Sequence, residues 1–349
     1  MDFSDKKTPK IGMIFPGQGS QVLGMGKEIY DRERLMQEYF ELASSCLDQN
    51  FVRLCFASSD RELKETVNAQ TAIFLLSASL YMVLKEQYGI IPDVVAGHSS
   101  GEYAAIFAAG GMSFADALYL LKKRSIFMEE ATIQFPGTMI AVLGLSYDQL
   151  SEICKRYDDP SGHTAVAEIV NYNAPQQLVV SGTISELDSI CQEVRSLGGK
   201  VIPLNVAGAF HSRLMKEAEN QFAQYMVKVD FKDLAIPLVN NIEACVVTTN
   251  EEIKDSLIKQ MSTHVLWWPS MEKFKDCDVI IEVGPGSKLT KMLKRIWPEK
   301  EVYSFNTLAD LVTLTKRFDK NIMLTELALD LVAEKETAII VTESNNEAV

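Results

Sequence analysis

The sequence predicts an α/β protein: a large domain on a parallel sheet, interrupted by a smaller βαββαβ unit. Three observations carry this. Residues 94–105 read as a short apolar strand, a tight turn and a small-residue helix, Val94-Val95-Ala96-Gly97-His98-Ser99-Ser100-Gly101-Glu102 and onward. Two more apolar strands, Ile11-Gly12-Met13-Ile14-Phe15 and Val279-Ile280-Ile281-Glu282-Val283, also end in glycine-containing turns, as fully buried strands do. Over residues 137–206 the pattern changes to strand, helix, strand, strand, helix, strand, the order of a split βαβ or ferredoxin-like unit.

Bulk properties narrow the function classes. A chain of 349 residues can bury a large core. Its 47% hydrophobic and 23% charged residues are ordinary for a soluble globular enzyme. A net charge of -13 argues against a general nucleic-acid or membrane-surface binder. The first ten residues are polar and charged, and no apolar run is expected to reach the roughly 18–20 residues of a membrane span. Cys46, Cys55, Cys154, Cys191, Cys245 and Cys277 are scattered without a C-x-x-C pair. That suits reduced thiols in a cytoplasmic protein, and neither a metal site nor a disulfide framework.

Taken in order, the first strand (residues 10–15) runs into Pro16-Gly17-Gln18-Gly19-Ser20-Gln21. Val22 stands where a dinucleotide fingerprint needs its third glycine, and no Gly-Lys-Ser/Thr follows, so nucleotide-loop readings are weak. The loop's backbone N–H groups remain available to approach a ligand, as the second donor of an oxyanion hole does. Helical patterning fills residues 25–84, broken near 48–52 and 57–60. Residues 71–84 are apolar nearly all round and predict a buried helix. Gln70, just ahead of it, caps that helix or faces a site.

Gly97, Ser99 and Gly101 then fit the G-x-S-x-G nucleophile elbow of α/β-hydrolase-like domains. Its turn is too sharp, and its helix too close, for a Cβ at either glycine. A helix over residues 112–131, opened by Ser113, carries Arg124. This arginine either offsets the helix dipole or pairs with a substrate carboxylate. The βαββαβ unit follows, with strands at 138–143, 164–171, 177–181 and 200–206 and helices at 147–157 and 184–197. An insert of this kind leaves a cleft against the large domain.

The chain re-enters the large domain through Gly208-Ala209-Phe210-His211-Ser212. Of four histidines (His98, His163, His211, His264), His211 lies in a turn at the expected seam and is the choice for general base. His98 adjoins the serine, and neighbouring side chains at an elbow diverge. A strand at 235–240, a helix at 251–261 carrying Gln260, and the strand ending in Gly284-Pro285-Gly286 complete the pattern. Lys288, Lys291, Lys294 and Arg295 then fall on roughly one helix face, either a solvated surface or a docking patch. The implied organisation is a discontinuous large domain (1–135 and 207–318), a subdomain (136–206), and a C-terminal helix with an acidic tail (319–349).

With the Gly17-Gln18-Gly19 loop, the Gly97-to-Glu102 elbow and Gly208-to-Ser212 in this order, the chain resembles malonyl-CoA:acyl carrier protein transacylases. Arg124-Ser125-Ile126-Phe127-Met128 and Glu282-to-Gly286 extend the resemblance over residues from about 10 to 307. The resemblance implies an [acyl-carrier-protein] S-malonyltransferase of fatty-acid or polyketide synthesis, with malonyl-CoA and acyl carrier protein as its partners and no cofactor. It implies Ser99 as acylated nucleophile, His211 as its base held by the Gln260 main-chain carbonyl, and Gln18 and Ser100 N–H groups as oxyanion donors. Arg124 would clamp the malonyl carboxylate, and Gln70 and His98 would line the pocket. Ser100 departs from the leucine usual in the bacterial enzymes. An acyl hydrolase of the same fold is the alternative, and a cytoplasmic monomer is expected.

Overall fold

The apolar runs at 11–15, 94–97 and 279–283 become central strands because helices cover both their faces. Among the described residues, 8–319 of a computed structural model, ten strands form two sheets. The first contains β1 (Ile11–Phe15), β2 (Val94–Gly97), β7 (Leu238–Val239), β8 (Val246–Val247), β9 (Val279–Val283) and β10 (Glu301–Phe305). Their order is β10-β9-β1-β2-β7-β8, parallel throughout except where β7 meets β8.

Strand pleating sorts the core into two halves. Met13, Phe15 and Val95 pack on one side with the helices Thr66–Tyr88, Gly101–Ala108 and Phe114–Gln134. Ile14 and Ala96 pack on the other with Trp267, Phe274 and Leu293. The chain proceeds outward from β1 in both directions, to β2 on one side and β9 on the other. The carboxyl ends of β1 and β2 therefore face a crevice, the usual ligand position in such sheets.

The second sheet comprises β3 (Thr138–Leu143), β4 (Ala167–Ala174), β5 (Gln177–Gly182) and β6 (Lys200–Pro203), antiparallel in the order β4-β5-β3-β6. Helices Tyr147–Tyr157 and Ile184–Ser196 cover one face, burying Leu150, Ile153, Leu187 and Ile190 against Val142 and Val180. This is the ferredoxin-like order expected from the sequence. Register shifts in β4, between Ile169 and Asn171 and between Tyr172 and Ala174, bend that strand. Tyr172 N–H also reaches the Val265 carbonyl of the first domain at 3.0 Å.

Four expectations need correction. The helix expected from residue 71 begins at Thr66 with Glu65 as its N-cap. Gln70 therefore lies inside the helix, and the capping reading fails. That helix is also long and apolar enough to cross a bilayer, with mean hydropathy 1.5 over its best window, although no such run was expected. Ser77, Ser79 and Thr71 interrupt the run to the eye, but their hydroxyl groups lie in the core, and 83% of the window is buried. The strand expected at 235–240 shrinks to Leu238–Val239, and that at 164–171 shifts to Ala167–Ala174. The last expected helix and tail lie outside the described residues beyond Asp319.

Candidate active site

Ser99 sits at the tip of the turn between β2 and the helix Gly101–Ala108, with φ of +52°. L-residues seldom adopt this left-handed conformation, and its presence at a serine marks a position held by its surroundings. A Cβ on Gly97 would lie 2.1 Å from the Gly101 carbonyl carbon, and one on Gly101 would lie 2.3 Å from the Phe15 carbonyl oxygen. Both elbow glycines are thus demanded by close backbone approach, as the motif implied. The serine's own backbone is stapled on both sides. Its N–H donates to Asn241 Oδ1 at 2.8 Å, and its carbonyl accepts from Gln260 Nε2 at 3.1 Å.

His211 also has a left-handed backbone, with φ of +64°, and its ring meets the serine. Ser99 Oγ and His211 Nε2 are 2.8 Å apart, and His211 Nδ1 lies 2.9 Å from the Gln260 carbonyl oxygen. A carbonyl only accepts, so Nδ1 carries the ring proton and Nε2 is left to accept from the serine hydroxyl. Burial pushes the His211 imidazole down to about 3, and the nearby Arg124 charge acts in the same sense. At neutral pH the ring is an uncharged base with its free lone pair on the serine.

Arg124 is completely buried yet forms no ion pair among the described residues. Two glutamines hold it instead. Nη1 donates to Gln70 Oε1 at 2.7 Å, and Nη2 donates to Gln260 Oε1 at 3.0 Å. Nη2 also lies 3.4 Å from Ser99 Oγ, and Nε has no partner among the described residues. Gln70 in turn donates to Gln18 Oε1 at 3.0 Å. A buried guanidinium without a carboxylate, this close to an activated hydroxyl, is built to receive an anionic group.

The two expected oxyanion donors differ. Ser100 N–H has no acceptor among the described residues. Gln18 N–H donates to the Ser100 side-chain hydroxyl at 3.2 Å, so it is engaged where a leucine would have left it open. His98 does not contact Ser99 Oγ. Its Nε2 lies 2.8 Å from Asn173 Oδ1 and its ring tilts against Trp267, which makes it a wall residue.

Ser99, His211, Gln18 and His98 line a cavity of about 400 Å³ between the two sheets, whereas Arg124 and Gln260, and Gln70, which was expected in the pocket wall, are buried outside its lining. Met139, Ala141 and Val179 of the smaller sheet form its apolar side, and Lys288, Lys291 and Arg295 border it. Lys288 Nζ hydrogen-bonds the Gly19 carbonyl and joins that helix to the glycine loop. Lys294, exposed on the same helix, lies off the cavity.

Asn241 and Glu102 were missed as site residues. Asn241 follows a strand of two residues, too short for any pattern to place it beside the elbow. Glu102 stands directly after the elbow glycine and passes for an ordinary first-turn helix acid. Its carboxylate instead accepts from Asn241 N–H at 3.1 Å and from the Gln260 amide.

A strained serine on an elbow, a neutral histidine at its hydroxyl and a buried arginine beside both define a serine acyltransferase site. Consistent with this, residues 13–330 match the acyl transferase domain family, and the chain belongs to it. It is 37% identical over 290 residues to the malonyl CoA-acyl carrier protein transacylase of Bacillus subtilis (strain 168), covering 82% of this chain and 90% of that one. The crystal structure of the Streptococcus pneumoniae enzyme MCAT superposes with TM-score 0.82 at 34% identity, covering 88% of this chain and 100% of that one. A malonyl-transacylase solved in complex with its type II polyketide-synthase acyl-carrier protein gives TM-score 0.84 at 30% identity, over 88% and 99% of the chains.

Proposed function

We propose that the protein transfers a malonyl group from malonyl-CoA to the phosphopantetheine thiol of an acyl carrier protein, through a malonyl-Ser99 ester. Arg124 carries this reading: it is buried, touches no carboxylate directly among the described residues, and lies 3.4 Å from the reacting hydroxyl. Ser99 Oγ attacks the thioester carbonyl while His211 Nε2 takes its proton. The developing oxyanion faces Ser100 N–H, with Gln18 N–H released to it by rotation of the Ser100 hydroxyl. Such a donor is worth roughly 3–4 kcal/mol. The C–S bond then breaks, and the proton on Nε2 passes to the departing CoA sulfur. In the second half the carrier thiol gives its proton to Nε2 and attacks the ester, and Ser99 Oγ recovers the proton as it leaves.

In this reading residues 1–135 with 207–318 supply the catalytic groups, and residues 136–206 supply the apolar wall over the acyl chain. The protein works as a cytoplasmic monomer with no cofactor. The hydrolase alternative has no use for a buried arginine at the acyl carboxylate. Chasing the malonyl-enzyme with holo acyl carrier protein tests the choice. The malonyl group is expected on the carrier thiol, with free malonate a small fraction, whereas release mostly as malonate regardless of carrier would establish a hydrolase.

An acidic carrier would dock on the basic border formed by Lys288, Lys291 and Arg295, with Lys294 adding long-range attraction. Reversing Lys291 and Lys294 to glutamate is expected to raise KM for the carrier several-fold at low salt while leaving Ser99 loading little changed. An unchanged KM would return these residues to the solvated surface.

A further inference from the structure

Glu102 takes no part in the transfer steps, yet its carboxylate is completely buried behind the nucleophile. Each oxygen accepts from a different residue: Oε1 from Asn241 N–H at 3.1 Å, and Oε2 from the Gln260 amide nitrogen. These two residues hold the nucleophile, its base and one side of the arginine. Asn241 accepts from Ser99 N–H at 2.8 Å and donates to the Gly97 carbonyl at 2.6 Å, which fixes the elbow from below. Gln260 donates to the Ser99 carbonyl, accepts from Arg124 through its side chain, and holds His211 through its main chain. Nucleophile, base and carboxylate clamp are each one residue away from Glu102.

We propose that Glu102 is a positioning residue that orients Gln260 and Asn241, and that it is also the counter-charge of Arg124 across the Gln260 amide. A side-chain amide fits its slot equally well in either of two orientations. A carboxylate can only accept, so with the Ser99 carbonyl and the donor-only Arg124 it holds Gln260 with its NH₂ inward and its oxygen toward Arg124. A buried guanidinium also requires a compensating anion, and the Gln260 amide bridges it to Glu102. Burial pushes the Glu102 carboxyl up to about 8, against the opposing hydrogen bonds from Gln260 and Asn241 and the attraction of Arg124, so the ionised form that both roles need prevails above that pH, where they are tested. The inference rests on the malonyl-transfer reading. A malonyl carboxylate arriving at Arg124 meets a charge already shared with Glu102, which weakens its binding while the reacting groups stay in place.

Glu102→Gln separates the two roles, because glutamine can satisfy only one of the two donors and carries no charge. In the full-length protein, single-turnover acylation of Ser99 would be followed by intact mass with malonyl-CoA and acetyl-CoA. The maximal rate is expected to fall roughly tenfold or more with both donors, the size of one lost charge-assisted hydrogen bond. The half-saturating concentration of malonyl-CoA should fall relative to that of acetyl-CoA. Glu102→Asp keeps the charge but shortens the reach, so it should lose rate while keeping the wild-type ratio of half-saturating concentrations. Wild-type rates per folded molecule in both variants overturn the positioning role, and a ratio unmoved in Glu102→Gln overturns the counter-charge role. Failure of both variants to fold assigns the carboxylate to the fold and overturns both. Wild-type protein that forms no acyl adduct would instead count against the malonyl-transfer reading itself.

Discussion

Ser99→Ala protein incubated with malonyl-CoA is expected to keep its unmodified mass, and transfer to the carrier should drop by at least about four orders of magnitude. The change removes one oxygen from a turn whose shape is set by other atoms. Gly97 and Gly101 are demanded by backbone contacts, and Asn241 and Gln260 hold the Ser99 N–H and carbonyl. None of these needs the hydroxyl, so the variant should melt close to wild type, apart from the relief of a small left-handed residue by another. His211 loses its 2.8 Å partner but keeps Gln260 at 2.9 Å, and its neutral imidazole finds no other nucleophile within reach. An adduct that survives in the alanine variant would move the nucleophile elsewhere and dissolve the proposed site.

The second large effect is expected in selectivity. Arg124→Ala should reduce the preference for malonyl-CoA over acetyl-CoA by roughly 10²- to 10⁴-fold, the loss of two charge-assisted hydrogen bonds expressed as a rate ratio. The ratio is the correct readout because the substitution also leaves Gln70 Oε1 and Gln260 Oε1 without their donor. Two buried acceptors stranded in this way cost stability and depress loading with either donor. Acetyl-CoA has no free carboxylate, so its loading reports that shared loss and divides it out. Lysine is expected to recover little of the preference, since one ammonium cannot hold both glutamines and a carboxylate in a planar fork. If the preference is unchanged in Arg124→Ala, the carboxylate is recognised by some other group.

Much of this site was legible in the sequence because its parts announce themselves locally. The elbow needs two glycines and a serine at fixed offsets, and the strand and helix around it have distinct periods. His211 could be chosen over three other histidines by its turn at the domain seam. Arg124 and Gln70 were harder. A lone arginine on an amphipathic helix reads as easily as a surface charge, and only the resemblance gave it a partner. The structure decides for the site by burying it completely.

What stayed hidden depends on convergence from distant segments. Asn241 reaches Ser99 across 142 residues and Gln260 reaches it across 161, with no periodicity to signal either. The Gln260 carbonyl was expected from the resemblance. Its side chain, which joins Ser99, Glu102 and Arg124, was not. The Ser100 hydroxyl taking the Gln18 N–H at 3.2 Å is likewise a contact between two loops 82 residues apart. The sequence showed a serine in place of leucine, but not which hydrogen bond it would make.

One competition experiment tests Ser99, His211 and Arg124 together. Wild-type protein is mixed with equimolar malonyl-, methylmalonyl- and acetyl-CoA, its intact mass is read at a single turnover, and the modified peptide is sequenced. One malonyl group on the peptide containing Ser99, in clear excess over acetyl, is the expected result. Preferential acetylation, or malonylation of any other residue, would contradict the joint assignment of Ser99, His211 and Arg124.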